Sequence, residues 1–463
     1  MNTVQFLGAV GVLLLIVAAC VLSGRRVRNA ADFESNSGNA SATAVAGMIM
    51  GSVVGASSTI GTAQLAYRYG LSAWWVTLGS GLGCLAVALF YVRPFRRTKS
   101  PTLIGILGQE YGKTVGIVVS ILSCAGMFLN IIAHLVAATA VLPAIFPQMS
   151  TALCLVLAAS LMMVYVIFGG SVGAGQAGKI KVFLLYLTVI VGAYIVLTKT
   201  GLPDLGHTLD QATYFHPFAR GGSIELSHAT SMLLGIICTQ TYMQAIVSGR
   251  SERVARRGAL LSAALIPPIG LGSALIGMFM RVNHPDLENS KDVFAQFVLT
   301  YMPDLLGGIV MGTLLITLVA GGAGIALGIS TVITNDVVRP MTHRFDHSTP
   351  ALRFTRVCIF LLLAGATICS LGSLSEMILT FSFMSMGLRV AVIFVPFMCA
   401  ILLPGKIAPV WILISAAAGP VLVLVFNLWQ VFPIDALFIG LAGNLICCAL
   451  GYFHTQYKAP RKL

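Results

Sequence analysis

Residues 51–61 read GSVVGASSTIG, and residues 66–71, shortly after, read AYRYGL. The first stretch sits in the middle of a long apolar run, residues 41–67. Its glycines and four small hydroxyl side chains, Ser52, Ser57, Ser58 and Thr59, are poor material to face lipid. They suit a helix that breaks and turns backbone groups toward a ligand. Close packing of helices through small residues accounts for the same composition. The surrounding sequence has to decide between the two.

That surrounding sequence is membrane protein throughout. Of 463 residues, 57% are hydrophobic and 9% are charged. A soluble domain carries about 25% charged residues, and its surface at this length would need them. Apolar runs fall at 3–23, 41–67, 71–92, 114–145, 150–169, 178–198, 226–248, 258–282, 305–335, 354–373, 377–403, 408–428 and 433–454. We number them helix zero to helix twelve. Each reads as a helix, because lipid offers no partner to an open backbone, and about 20 residues cross a bilayer. The expected class is an all-α polytopic membrane protein with about thirteen spans and no soluble domain.

The net charge of +13 comes from 28 Lys and Arg against 15 Asp and Glu. With the N-terminus outside, 22 of the basic residues fall on the cytoplasmic side and five (68, 199, 220, 281 and 291) on the outer side. This asymmetry sets orientation and replaces nucleic acid as the reason for the charge. It predicts a multi-pass protein of a bacterial-type inner (plasma) membrane, N-terminus outside and C-terminus cytoplasmic. Val17-Ala18-Ala19-Cys20 is similar to a lipoprotein cleavage box, but Arg25, Arg26 and Arg28 follow it and no positive charge precedes it, which favours an uncleaved first helix. The ten cysteines show no CxxC and no Cys/His pairing, so they read as small core residues. No nucleotide loop, metal cluster or triad pattern points to an enzyme.

Five stretches taken together carry a resemblance. Residues 58–71 (STIGTAQLAYRYGL) resemble the first core helix of the sodium–solute symporter family. Residues 101–112 (PTLIGILGQEYG) resemble the family's loop into helix three, and 165–170 (YVIFGG) its helix-four end. Residues 240–244 (QTYMQ) with 248–251 (SGRS) resemble the end of helix six, and 333–336 (ITND) the end of helix eight. They occur in family order over about residues 25–340. The resemblance implies a LeuT-like fold of two inverted five-helix repeats, 41–198 and 226–403. An extra N-terminal helix within 1–30 precedes them, and two C-terminal helices in 404–463 follow. It also implies a substrate site at mid-membrane near the breaks of helices one and six.

Family correspondence puts substrate contacts near Ser57, Ser58, Gln64, Thr77, Ser80, Thr239 and Gln240, all uncharged donors or acceptors. The family's sodium ligands fall on the carbonyls of Gly51, Val54 and Thr317 and on the side chains of Ala320 and Gly321. The last two have no side-chain oxygen. The acidic position of helix five falls on Gly178, and Lys179 and Lys181 follow. An ammonium can stand in for a bound sodium charge, and some proton-coupled relatives in the superfamily resemble this. The positive-inside rule explains the same lysines without any role in coupling. His134, mid-helix three, is the other buried titratable candidate, as a hydrogen-bonded core residue or a proton carrier.

Arg389 stands near the middle of helix ten, where a charge costs at least about 2.5 kcal/mol. It must meet a cavity, backbone carbonyls or an anion. The expectation is a secondary transporter of a small polar, possibly anionic, organic solute, working by alternating access. It needs no cofactor and binds no nucleic acid; its partners are the solute and the bilayer, as a monomer or weak oligomer. The coupling ion is H⁺, or the transport is exchange. The alternatives are Na⁺ at a site rebuilt from Thr317, Ser330 and Thr331, and a transporter-like sensor.

Overall fold

The computed structural model describes residues 1–24, 39–97, 102–342, 348–372, 377–429 and 434–458, with the side chains of 16–24, 167–180, 202, 340, 348–350 and 427–429 outside the described set. Among the described residues every named element is a helix, and the single extended pairing is an isolated bridge between Ala40 and Gly249. Nine helices among the described residues are long and apolar enough to cross a membrane, or ten if the bent pair Gly222–Ile237 and Gln240–Ser248 counts as one span. Shorter apolar helices at Thr3–Leu15, Ala42–Val53 and Thr151–Val166 lie in three more of the expected runs. Each of the thirteen runs thus holds helix, while the count of thirteen crossings remains an expectation.

Helix one breaks where the glycines predict. Its first half, Ala42–Val53, starts at Ser41, whose hydroxyl accepts from the Ala44 amide. It stops at Val54, which leaves the helical region at ψ 90°. A π-helical turn, Ser57–Gly61, resumes the path, and Thr62–Tyr69 completes it. Gly70 ends that half at φ 61°, a conformation open to glycine, packed against the Tyr214 backbone. Helix six breaks at Cys238–Thr239 with a 44° bend between its halves. The two broken helices are joined at one end: the Ala40 amide donates to Ser248 O at 2.9 Å, and the Arg250 amide donates to Ala40 O at 3.1 Å.

Helices four and five fall within one helical stretch, Thr151–Lys199. Forty-nine residues would extend about 74 Å if straight, over twice a bilayer core of about 30 Å. Both ends nevertheless lie at one face. Lys199 sits over the Tyr301 ring. Phe146, just before the stretch, packs on Phe6, and the adjacent Gln5 bonds to Leu299 O. The stretch therefore supplies two membrane arms, Thr151–Val166 and Lys181–Lys199.

Helix three (Lys113–Ile145) and helix eight (Asp304–Val332) run through the centre, and helix eight is largely buried along its spanning window. Helix zero (Thr3–Gly24) docks on helix eight where Gly308 and Gly312 bring the backbones together. Helix ten (Ile378–Leu402) lines the same core, with helices eleven (Pro409–Trp429) and twelve (Ala436–Lys458) outside it. The periphery is apolar and open: Phe90, Phe183, Ile368 and Phe453 are each about two-thirds exposed. In water such a surface would aggregate, whereas in lipid it is the solvent-matched face.

Candidate functional site

Three of the family-like stretches meet at the face that carries the basic loops. Thr102, in the loop before helix three, caps the short helix Leu103–Tyr111 by accepting from the Gly105 amide at 3.0 Å. Its hydroxyl donates to Asp336 Oδ1 at 2.6 Å, joining this loop to the end of helix eight. The Leu103 amide donates to Gln240 Oε1 at 2.7 Å, joining it to helix six. Arg96, ending helix two, donates to the carbonyls of Ile246, Val247 and Gly249. Those carbonyls lie at the end of helix six, where Ile246 O also accepts from the Gly249 amide, and the guanidinium caps them.

Gln240 is thus engaged in this seam, away from the centre. Gln64 and Thr77 are likewise used elsewhere. Gln64 accepts from the Ile378 amide at 3.2 Å and donates to Ser290 at 3.4 Å, near the opposite face. The Thr77 hydroxyl donates to Trp74 O at 3.3 Å and Pro267 O at 3.5 Å, against Gly270 of helix seven. Pro267, inside helix seven, and its successor Pro268 lack amide protons, so the carbonyls of Ala263 and Ala264, one turn earlier, lose their intrahelical donors.

At the break of helix one lies an enclosed cavity of about 30 Å³, room for about one water. Ser57, Ser58 and Ser80 line it. So do Asn130, His134, Met232, Tyr242, Ser382 and Met386. Ser57 Oγ and Ser382 Oγ are 2.5 Å apart and tie helix one to helix ten. Ser58 donates to Val53 O at 2.9 Å, satisfying a carbonyl that the break exposes. Among the described residues Asn130 Oδ1 has no hydrogen-bond partner. Asn130 and Ser382 are the lining side chains whose roles their positions in apolar helices left unassigned; a buried carboxamide in a span was the available signal for Asn130.

Thr239 and Arg389 form the next layer. Thr239 stands at the N-cap position of the second half of helix six without a side-chain capping bond; it donates to Gly235 O and accepts from Arg389 Nη1 at 2.6 Å. The guanidinium also donates to Ser385 O at 3.1 Å, to Ser385 Oγ at 3.0 Å and to Met386 Sδ at 3.1 Å. Arg389 is 1% exposed, and its guanidinium spans from helix ten to the break of helix six. Its partners are hydroxyls, a sulfur and a carbonyl of its own helix. The broken-helix carbonyls that sequence reasoning offered do not hold it.

The expected ion positions fall beside the same break. Lys181, 1% exposed, donates to Gly51 O at 2.7 Å. Lys179 lies outside the described side chains. Val54 is the cap residue where the first half of helix one ends. Thr317 is fully buried on helix eight, and its Oγ1 has no hydrogen-bond partner among the described residues. Ala320, a turn on, is partly exposed, and Gly321 packs directly on His134. His134 Nδ1 lies 2.8 Å from Asn130 O. A carbonyl can only accept, so Nδ1 carries the proton. Nε2 then faces Gly55 and Gly321 with no hydrogen-bond partner among the described residues.

Known proteins place this architecture. A family model described as Sodium:solute symporter family matches residues 36–405. The human high affinity choline transporter 1 is 22% identical over 424 residues, covering 85% of this chain and 71% of that protein. The high-affinity choline transporter 1 of Torpedo marmorata is 22% identical over 359 residues, covering 74% of this chain and 61% of its own length. Among solved structures, a Na⁺-coupled sialic acid symporter in a substrate-bound outward-open state aligns with a TM-score of 0.81. It is 17% identical and covers 99% of this chain and 98% of its own. At these identities the structural likeness establishes the fold.

Proposed function

The chain belongs to the sodium:solute symporter family, and from that premise we propose a secondary transporter of a small polar organic solute that works without sodium. Transport, rather than catalysis, follows from the family; the coupling and the solute are our reading. One observation carries it: the Lys181 ammonium sits 2.7 Å from Gly51 O, a carbonyl that family correspondence assigns to the ion. The ammonium brings the same single charge as sodium and up to three N–H donors to carbonyls that a bound cation would otherwise satisfy. Loss of its proton would leave those carbonyls without a cation and shift the balance between conformations. A proton, or obligatory exchange of solutes, then takes the coupling ion's role.

Polar solute contacts centre on Ser57, Ser58, Ser80, Asn130 and Ser382 around the break. The bonds already made by Arg389 weigh against an anion held at its guanidinium, which would have to break the Thr239 contact. The relatives' choline does not carry over either. Quaternary ammonium groups are read by aromatic faces, and Tyr242 is the single ring among the cavity's Phe, Tyr and Trp positions. The charge bias of the loops supports an N-terminus outside in a bacterial-type inner membrane.

A sodium symporter with a rebuilt site draws support from the unpartnered hydroxyls of Thr317 and Thr331. Fourteen residues of helix separate them, about 21 Å, so they cannot share one ion. Ser330 already donates to Leu327 O at 2.9 Å. Thermal unfolding of the purified protein in sodium chloride and in potassium chloride, from pH 5 to 8, decides. We expect no sodium-specific shift, and a pH-dependent shift that Lys181→Met removes. A sodium-specific stabilisation, about 2.7 kcal/mol at 100 times the dissociation constant, would sink the reading.

A further inference from the structure

We infer that His134 is the residue that closes this ion site to sodium, by filling the notch between the break of helix one and helix eight. The inference rests on the sodium-free reading above and assigns its selectivity to a side chain of helix three.

Two glycines on different helices face one imidazole atom. A Cβ on Gly55 would lie 2.9 Å from His134 Nε2, and a Cβ on Gly321 would fall on the same atom, far inside contact distance. Gly322, next along helix eight, has the His134 Cβ at 3.4 Å and Met162 Sδ at 2.6 Å from where its own Cβ would stand. The ring cannot easily swing aside, because Nδ1–H is held on Asn130 O at 2.8 Å and the residue is 3% exposed. Any side chain at 321, a hydroxyl included, therefore competes with the imidazole for one space. The missing hydroxyl and the histidine are two aspects of one packing arrangement.

The lysine and the histidine obstruct the ion in different ways. Gly51 and Gly55 are one helical turn apart in spacing, and Lys181 and His134 approach them respectively. Lys181 engages a carbonyl and supplies charge. His134 takes volume and presents a nitrogen, which suits transition metals better than a hard cation that prefers oxygen. Removing the lysine alone frees a carbonyl but leaves the notch full.

The test uses thermal unfolding of the full chain in sodium chloride against potassium chloride. Gly321→Ser should lower the midpoint, and adding His134→Ala should recover it, a coupling that independent sites would not show. In a Lys181→Met, Ala320→Ser, Gly321→Ser background, a sodium-specific rise should appear when His134→Ala is added and be absent when His134 is kept. An unchanged midpoint for Gly321→Ser would overturn the inference. So would a sodium-specific rise of equal size with His134 in place, or no rise in either background. If the combined variants do not purify folded, Gly321→Ala with and without His134→Ala decides: recovery on removing the ring supports it and no recovery overturns it. A sodium-specific shift in the unaltered protein would instead fail the coupling reading, whatever the variants do.

Discussion

The seam at the basic face and the centre of the molecule use their polar side chains to different ends. In the seam Thr102, Gln240, Asp336 and Arg96 are joined to one another's segments by bonds mostly between 2.5 and 3.1 Å, and the Tyr111 hydroxyl at the end of the short helix Leu103–Tyr111 is unpartnered among the described residues. At the centre Asn130 Oδ1, His134 Nε2 and Thr317 Oγ1 are buried without such partners among the described residues. A satisfied network rigidifies, whereas an unsatisfied buried group carries a standing cost that a fold keeps only for a reason. The family-like stretches of sequence chiefly mark the satisfied network. Of the side chains we propose for a solute, Ser58 alone lies in one of those stretches.

This contrast can be broken by substitution. The largest effect is expected for Arg96→Ala, which uncaps three carbonyls at the end of helix six. Loss of charge-assisted bonds there should cost about 3 kcal/mol, read as a lower unfolding midpoint. Gln240→Leu strands the buried Leu103 amide and should cost about 1–3 kcal/mol. If both leave the midpoint unchanged, the seam is not a stabilising network. At the centre, Ser57→Ala removes one member of the Ser57–Ser382 pair and should cost about 1 kcal/mol or less while weakening solute-dependent stabilisation. A stability loss as large as that of Arg96→Ala would erase the distinction.

Lys181→Met removes a buried charge held by one carbonyl, so its midpoint should stay level or rise. A steep fall would make the lysine structural. The smallest effect belongs to Asp210, at the tip of an exposed loop. The Thr213 hydroxyl and amide hold its carboxyl below the usual carboxylate range. Its folded pKa is depressed, so its contribution is present above about pH 4 and fades as pH falls through the folded value. Asp210→Asn should flatten only that acid limb, in a midpoint-against-pH series.

Hydropathy made the helices legible, and the glycine-rich stretch 51–61 allowed a break that its composition alone left open against close helix packing. The loop charges of 22 against five gave a direction that the fold itself does not test. What the residues could not reveal was partner identity. Gln64, Thr77 and Gln240 read as solute contacts because family spacing places them at the right depth, yet spacing fixes a face and not the atom across from it. Lys179 and Lys181 were indistinguishable as a charge pair near a helix start; the Gly51 contact singles out Lys181 among described side chains. Gly321 was legible as a missing ligand. That an imidazole takes its place requires knowing which face of helix three meets helix eight.

The bridge between Ala40 and Gly249 has a mechanical consequence. Two backbone bonds clasp the start of helix one to the end of helix six, and Arg96 braces the same corner from helix two. The halves of the broken helices on that face are therefore clasped to each other through their backbones. A covalent tether across Ala40 and Gly249 should leave solute uptake intact; loss of uptake on tethering would show that this corner must open.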